Sequence, residues 1–322
     1  MAEIERFPVT RIHSLAVRNF RAINELQTYE FTDGLNTISG GNMDGKSAIL
    51  NAIKIVLDPE IKHRCSSFWG FGFMGQTSLI EMTFTANQRL HYLRRVISND
   101  NTTDIHLYVG EKYSHFYRDG EASEYLMQII PPSNSILNTP WQVRFGFIRS
   151  SDSMIDYERN YKFDQEELEF VNNLLDLVDT DVKKLYNKEL NTYCVFRDGS
   201  ETKFQHLSSS EQLFFTLIEN ISHNISRVGE NKTKVVLIDD FDRALGKELK
   251  HYTCEILRVI ARLHDLQIIV TSRHRIADSN NVRIPSKRIP SVYNSVVSNP
   301  PFTIKSFSNY MKKYASRRKK GW

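Results

Sequence analysis

The sequence predicts an α/β protein in which an antiparallel β-meander adjoins a parallel core sheet, with a small helical lobe inserted between the two halves of the core. A strand-like segment, a glycine-bearing loop and an apolar helix-like segment follow one another between positions 35 and 57. Segments rich in β-branched and aromatic residues lie between 79 and 109, separated by turn-like clusters, as in a meander. The uninterrupted apolar run Val235–Ile238 is typical of a central parallel strand.

The N-terminal half, residues 1–149, is predicted to consist mainly of strands. Side chains alternate in character over Ile12–Val17, which indicates a strand. A buried helix is predicted at Ser47–Leu57, and Asp58-Pro59 ends it because proline cannot continue a helix. Further strands are predicted at Leu35–Ser39, Leu79–Thr85, Leu90–Ile97, Asp104–Val109 and Trp141–Ile148.

The helical lobe is predicted at 150–191. Asp164 can cap a helix whose first turn holds Glu166 and Glu167, and acidic residues suit the positive end of the helix dipole. Apolar residues then repeat at helical spacing, and a core-facing stripe is favoured over a partner-binding face. The stripe consists of Leu168, Val171, Leu175 and Val178.

The second half of the core is predicted at 192–275, and a proline-containing segment with a basic tail follows at 276–322. Helices are predicted from Ser208 to about Ile225 and over Leu245–Leu263. After Ser272 the sequence shows no regular pattern of strands or helices. Strands are predicted at Thr192–Phe196, Thr202–Gln205, Val235–Ile238 and Gln267–Val270.

The strongest functional signal is a phosphate-binding loop between the strand Leu35–Ser39 and the helix Ser47–Leu57. Glycines let backbone N–H groups wrap phosphates without Cβ clashes, Lys46 would reach the β- and γ-phosphates, and the Ser47 hydroxyl would ligate Mg²⁺. The strand–loop–helix context supports this interpretation over a chance match. The loop reads Gly40-Gly41-Asn42-Met43-Asp44-Gly45-Lys46-Ser47.

A second signal is the pair Asp239-Asp240 directly after the apolar run Val235–Ile238. Open α/β sheets bind ligands at the carboxyl ends of their strands. Asp239 would therefore hold Mg²⁺ directly or through water. Many buried strands end in aspartate, so this signal depends on the phosphate loop that precedes it.

A third signal opens the helix that begins near Ser208, about thirty residues before Asp239. A helix N-terminus with small hydroxyl residues can bind an anion. The alternative is an ordinary serine cap with Glu211 in a capping box. The segment reads Leu207-Ser208-Ser209-Ser210-Glu211-Gln212.

These motifs together resemble the RecF/SMC/OLD group of ABC-type ATPases, whose signature is LSxGEQ. Leu15–Arg21 resembles the opening strand and turn of that group, and Gly34–Gly40 resembles the approach to its phosphate loop. The resemblance implies that Arg21 points at the phosphates of ATP. It also implies a head-to-tail dimer in which residues 207–212 of one copy bind the γ-phosphate of ATP held by the other.

Departures from the group concern turnover rather than ATP binding. Ser210 replaces the usual signature glycine, and Asp240 replaces the catalytic glutamate, which is one methylene longer. The switch histidine falls on Arg273, with His274 one place later, so either could act. Gln76 is only a weak match to the group's conserved glutamine. The resemblance therefore implies an ATPase with Asp240, Lys46 and His274 as candidate catalytic residues, and the departures predict slow turnover.

The expected function is a DNA-associated ATPase or ATP-switched clamp in repair, recombination or anti-phage defence, working with a separate effector. The alternative is a poorly hydrolysing ATP-bound scaffold that sequesters a toxin or nuclease. No long coiled coil and no acidic nuclease domain are apparent. The absence of a long apolar run and of a signal-peptide pattern leads us to expect a cytoplasmic protein, and a transporter subunit is disfavoured. Cys65, Cys194 and Cys254 are expected to be free thiols.

A basic tail is the last feature. The net charge of the chain is +4, but the residues after Phe302 include seven cations and no acid, with Tyr310 and Tyr314 interleaved. Such a tail could contact DNA phosphates, with a solvated terminus as the alternative. The cations are Lys305, Lys312, Lys313, Arg317, Arg318, Lys319 and Lys320.

Overall fold

A computed structural model describes residues 9–41, 44–57, 77–98, 102–110, 114–129, 142–144, 162–177, 180–226, 234–239, 241, 247–276 and 279–284. Several features predicted from the sequence lie outside these residues. They are Asn42, Met43, Cys65, Gln76, Val178, Asp240, most of the strand Trp141–Ile148 and the basic tail.

The described elements alternate between strands and helices in the order expected of an α/β protein. In chain order they are β1 (Val9–Arg18), β2 (Gln27–Glu30), β3 (Leu35–Ser39), α1 (Lys46–Leu57), β4 (Ser78–Ala86), β5 (Arg89–Ile97), β6 (Thr103–Val109), β7 (His115–Arg118), α2 (Asp119–Ile129), β8 (Gln142–Arg144), α3 (Gln165–Leu175), β9 (Val182–Lys188), β10 (Asn191–Phe196), β11 (Glu201–Lys203), α4 (Ser209–Ser226), β12 (Val235–Asp239), α5 (Lys247–Leu263), β13 (Gln267–Ser272) and β14 (Asn280–Arg283).

The N-terminal half forms a six-stranded antiparallel sheet in the order β2-β1-β4-β5-β6-β7. The predicted meander over 79–109 is confirmed as β4, β5 and β6. Alternate residues such as Ile80, Met82 and Phe84 are fully buried in one core with α1, as the two-residue period of a strand requires. Buried Arg95 donates to the carbonyl of Val56 (3.3 Å) near the end of α1, which suits the negative end of the helix dipole.

The second sheet is parallel and has the order β14-β3-β13-β12-β8. Successive residues of β12 enter different cores: Leu237 packs in the core that contains α1, whereas Val236 and Ile238 pack in the core that contains α3, α4 and α5. Because the sheet is covered on both faces, its strand β12 is apolar from Val235 to Ile238. Because β3, β13 and β12 are parallel, their carboxyl ends meet at one edge of the sheet.

One buried side chain joins the two sheets. The amide of Gln267 accepts from the backbone N–H of Ile12 (2.8 Å) and donates to the carbonyls of Ile12 (2.8 Å) and Thr32 (2.9 Å). It thus completes the hydrogen bonding of β1 where no strand pairs with that backbone. At the surface nearby, Asp265 bridges Arg11 and Lys234. The antiparallel sheet is therefore fixed against the parallel one, which positions α1 between them.

The lobe predicted at 150–191 is not mainly helical in its described part. Helix α3 begins at the predicted cap, where Asp164 accepts from the N–H of Glu167 (2.8 Å), but the chain then forms the strand β9. β9 belongs to a three-stranded antiparallel sheet in the order β11-β10-β9. The physical reason is that Leu185 and Cys194 pack against α3, while the Asn172 side chain bonds both backbone groups of Leu185.

Other elements were not predicted from the sequence, namely β2, β7, α2 and β14. The Cys194 and Cys254 thiols are buried, and neither forms a disulfide bond. Within the described residues, no helix is long and apolar enough to span a membrane.

Candidate functional site

The phosphate-type loop lies between β3 and α1, at the carboxyl edge of the parallel sheet. Gly45 has φ +100°, a conformation that a side chain would strain, and the carbonyl of Gly45 accepts from the N–H of Ala48 (2.9 Å) at the start of α1. The carboxylate of Asp44 accepts from the N–H of Gly41 (2.5 Å) and closes the loop. The loop thus places the N-terminus of α1, with its positive dipole end, beneath a glycine-rich turn.

Lys46 provides the positive charge of this loop. Its side chain is only 9% exposed, and its ammonium donates to the carbonyls of Gly40 (2.9 Å) and Gly41 (2.6 Å). The charge is therefore held inside the curve of the loop. An ammonium in that position can bind an anion such as a phosphate by exchanging its carbonyl partners for phosphate oxygens.

Ser47 and Asp239, the two predicted Mg²⁺ ligands, lie side by side. The Ser47 hydroxyl donates to Oδ1 of Asp239 (3.0 Å), and the hydroxyl of buried Thr271 donates to the same oxygen (2.6 Å). A hydroxyl and a carboxylate are the hard oxygen ligands that Mg²⁺ prefers. Among the described residues, no group of three or more His, Cys, Asp or Glu side chains is placed to bind a metal. Mg²⁺ at Ser47 and Asp239 would therefore complete its shell with phosphate oxygens and water.

Thr271 belongs to this site, and the sequence analysis missed it. The threonine lies on β13, which separates β3 from β12 in the sheet, so its hydroxyl reaches the carboxylate at the end of β12. The available signal was a hydroxyl residue near the end of β13, the next strand along the chain after Asp239. The importance of Thr271 follows only from the order of the strands in the sheet.

The carboxyl end of β13 connects the loops that follow β3 and β12. The carbonyl of Ser272 accepts from the N–H of Gly40 (3.4 Å), and the carbonyl of Thr271 accepts from the N–H of Phe241 (3.3 Å). The Ser272 hydroxyl donates to the carbonyl of His274 (2.7 Å) and accepts from its N–H (3.1 Å). His274 therefore follows directly on the site. The side chains of Arg273 and His274 are both exposed, and the geometry does not choose between them.

The turn that carries Arg21 packs against the phosphate loop. Phe20 and Ile23 exchange two backbone hydrogen bonds (2.8 and 2.9 Å), and Arg21 has φ +49° within that turn. A Cβ at Gly45 would lie 3.4 Å from the Cβ of Ala22. The Arg21 guanidinium lies over the Phe20 ring at 5.7 Å from its centre. The turn thus places Arg21 next to Ala22, which borders the loop.

The signature-like segment has the geometry of a capping box. The N–H of Ser208 donates to the Glu211 carboxylate (2.8 Å), and the N–H of Glu211 donates to the Ser208 hydroxyl (3.3 Å). The buried amide of Gln212 donates to the carbonyls of Gln205 and Leu207 (2.9 Å each). Residues 207–212 therefore form a fixed helix start. Ser210 is half-buried in its first turn, and Ser209 is the first residue of α4.

The signature-like segment and the phosphate loop lie on opposite faces of the parallel sheet. Helix α4 packs through Phe215 and Ile218 in the core that contains Val236 and Ile238. Helix α1 packs through Ile49 and Ile53 in the other core. The helices that begin at the two segments therefore pack on opposite sides of the parallel sheet.

A phosphate loop after one parallel strand, a carboxylate after another and an adjoining antiparallel sheet define a nucleotide-binding fold of the ABC-ATPase head type. The chain belongs to the AAA_23 family, an AAA domain, whose match spans residues 14–267. No protein of curated function matches the sequence of this chain.

Solved structures share the fold at low sequence identity. The SMC head domain from Thermotoga maritima is 16% identical, with a TM-score of 0.56, over 82% of this chain and 89% of that chain. An SmcHead bound to the C-winged helix domain of ScpA is 15% identical, with a TM-score of 0.55, over 82% and 90%. An Smc head domain with an extended coiled coil, bound to the C-terminal domain of ScpA from Pyrococcus furiosus, is 11% identical, with a TM-score of 0.54, over 82% and 90%. The predicted α/β fold is thereby confirmed, and it is the fold of SMC head domains.

Proposed function

We propose that the chain binds ATP with Mg²⁺ and hydrolyses it. The observation that carries the proposal is the convergence of Ser47, Asp239 and Thr271 at the mouth of a loop that holds the Lys46 ammonium. Lys46 binds the β- and γ-phosphates, and the N–H groups of residues 40–47 surround them. Ser47 and Asp239 hold Mg²⁺, which neutralises the phosphate charge when bound.

The proposed base for hydrolysis is Asp240, which follows Asp239 directly. A carboxylate after the metal-binding aspartate can orient and polarise the attacking water. Aspartate is one methylene shorter than glutamate, so turnover is expected to be slow. His274 is the proposed γ-phosphate contact, because Ser272 fixes its backbone at the end of β13.

ATP is also proposed to join two copies of the chain. The resemblance to ABC-type ATPases supports this, because in that group the signature segment of one copy completes the site of the other, and here α4 packs on the opposite face of the parallel sheet from α1. Residues 207–212 of one copy would then bind the γ-phosphate held by the other at a helix N-terminus. ATP would act as an interface ligand, and hydrolysis would release the dimer.

The proposed role is a DNA transaction, in repair or recombination or in anti-phage defence with a separate effector, in the cytoplasm. The fold shared with SMC heads supports it, as does the basic tail 305–320 in the sequence. Two of the similar heads are bound to a domain of ScpA, which supports a partner protein for this chain too.

A second candidate is an ATP-holding scaffold that sequesters a toxin or nuclease and hardly hydrolyses. The residues that favour it are Asp240 and Ser210, each of which departs from the ABC pattern at a position used in turnover. ATP turnover measured with and without DNA separates the two functions. A DNA-stimulated rate supports the first, and a negligible rate in both conditions supports the second.

The nucleotide site is tested by Lys46→Ala, with Lys54→Ala in the same helix as the matched control. Loss of the Lys46 charge should weaken ATP binding by about a hundredfold or more, because the β- and γ-phosphates lose their cation. Lys54 lies in the last turn of α1, away from the loop, and its variant should bind ATP normally. Calorimetry measures both. Equal affinities for the two variants would show that the loop is not a nucleotide site.

A further inference from the structure

The face of the three-stranded sheet that points away from the core carries cations beside aromatic rings. Leu185 and Cys194 point into the core, so the alternation of the strands places their neighbours on the other face. Tyr186 lies opposite Tyr193, and Tyr193 lies opposite Lys203 on the third strand. The face is defined by Lys184, Tyr186, Lys188, Tyr193, Glu201 and Lys203, and we call it the β9–β11 face.

The two tyrosines form the centre of this face. Their rings are stacked with centres 5.6 Å apart and planes 21° apart, and both side chains are partly exposed. The Tyr186 hydroxyl donates to Glu201 (2.9 Å), which fixes the ring. A nucleic-acid base can extend such a stack on an exposed ring face.

Lysines surround the tyrosine pair. Lys184 and Lys188 lie two residues to either side of Tyr186 on β9, and Lys203 lies across from Tyr193. Within the described part of the chain, none of these lysines is paired with a carboxylate, and Lys184 and Lys188 are exposed. Their charges are therefore available to an anionic ligand that spans the face.

The outer face of the six-stranded sheet is a contrasting case, in which aromatic and charged side chains contact one another. It also carries aromatic contacts, between Tyr108 and Phe116 with ring centres 4.7 Å apart. Its arginines, however, have carboxylate partners: Arg94 lies 3.6 Å from Glu81, and Arg118 lies 3.2 Å from Asp119. On that face carboxylates lie beside these arginines, whereas the β9–β11 face has three lysines and the carboxylate of Glu201, which bonds Tyr186.

We propose that the β9–β11 face binds single-stranded nucleic acid, with bases on Tyr186 and Tyr193 and phosphates on the three lysines. A duplex keeps its bases stacked inside, so it could use the lysines but not the rings. The inference deepens the proposed function, because it names a surface and a form of nucleic acid. Hydrogen bonds connect the β9–β11 sheet with the signature-like segment. The Asn191 side chain, at the start of β10, accepts from the Gln205 amide (2.8 Å), and the Gln205 carbonyl accepts from the Gln212 amide.

The lysines are tested with the full chain and a labelled single strand of about 16 nucleotides, as DNA and as RNA, by fluorescence anisotropy. The double variant Lys184→Ser/Lys188→Ser removes two contacts, so the slope of log affinity against log salt should flatten by roughly 1.4. The matched control is Lys162→Ser/Arg262→Ser, which removes two exposed cations elsewhere. The basic tail is present in every variant. Equal slopes for the two double variants would overturn the proposal.

The rings are tested by Tyr193→Leu against Tyr108→Leu on the six-stranded sheet. The first should weaken single-strand binding by about tenfold, because a base loses its stacking partner, and the second should not. Thermal unfolding verifies that both variants fold, and the exposed lysine pair provides the test if Tyr193→Leu does not. Equal affinities in the two tyrosine variants, or a parent chain that binds duplex but not single strands, would contradict the inference. Lys46→Ala should bind the strand normally, so failure of the nucleotide site is seen separately. DNA and RNA affinities show which strand the face prefers.

Discussion

The phosphate loop and the signature-like segment are both starts of helices, but they differ in how their polar groups are satisfied. At residues 208–211 the serine hydroxyl and the glutamate carboxylate each have a backbone partner, so helix capping alone accounts for them. In the phosphate loop Gly45 has positive φ, and Lys46 is buried with only carbonyls for partners. A charge held in this way is not needed by the fold and points to a ligand. The first region thus has the geometry that the proposed nucleotide site needs, whereas a ligand role for the second rests on the proposed dimer.

Replacing the metal-binding carboxylate is the sharpest way to separate the two regions. Asp239→Ala should weaken Mg²⁺-dependent ATP binding by more than about a hundredfold, because the metal loses its only charged protein ligand in the proposed site. Ser208→Ala should leave ATP binding to the single chain unchanged and lower the free energy of unfolding by about 1 kcal/mol through the lost cap. Calorimetry with MgATP and chemical denaturation measure the two effects. A similar loss of ATP affinity in both variants would mean that one chain uses both regions.

Turnover is expected only after the two regions meet. Asp240→Asn should lower the rate of hydrolysis by about a hundredfold and leave an ATP-bound dimer, because water loses its general base. Asp240→Glu restores the reach of a glutamate and should raise the rate. Phosphate release, measured with chromatography of the ATP-bound species, tests both variants. An unchanged rate in the two variants would remove Asp240 from the mechanism and favour the scaffold.

The stability of the chain is expected to depend on pH, because a buried acid, Glu81, lies in the antiparallel sheet. Variants of the two regions should therefore be compared at one pH. Burial raises the pKa of Glu81 to about 7 from its usual 4.5, against the opposing effects of Tyr92 and Arg94. Its folded pKa is raised, so its contribution to stability is complete below pH 4.5 and is lost as pH rises through 7. Glu81→Gln should therefore be more stable than the parent at pH 8, by about 1–3 kcal/mol, with little difference at pH 5. Denaturant unfolding at the two pH values measures this. A difference between the chains that does not change with pH would contradict the assignment.

Much of the fold follows from local pattern, and the elements that do not follow have physical reasons. The phosphate loop and the strand β12 combine contiguous motifs with apolar runs, so Lys46 and Asp239 could be placed from the sequence. β14 carries two asparagines and an arginine among its four residues, and its strand form depends on pairing with β3. Thr271 reaches Asp239 only because β13 lies between β3 and β12, which no sequence pattern states. The segment that forms β9 was predicted to lie in a helical lobe. Its strand form depends on packing against α3, a tertiary contact that the local sequence pattern does not show.

Mixing two inactive variants tests the central claim, that the site is shared between copies, most directly. Lys46→Ala lacks the phosphate contact, and Ser208→Arg places a bulky cation at the helix start, so neither variant should form an ATP-dependent dimer alone. In the mixed dimer, one of the two sites has an intact phosphate loop from the Ser208→Arg chain and an intact signature-like segment from the Lys46→Ala chain. Capture of one tagged variant by the other, with and without MgATP, is the measurement. The account predicts capture only in the mixture and only with MgATP. No capture from the mixture, or equal capture without MgATP, would contradict it.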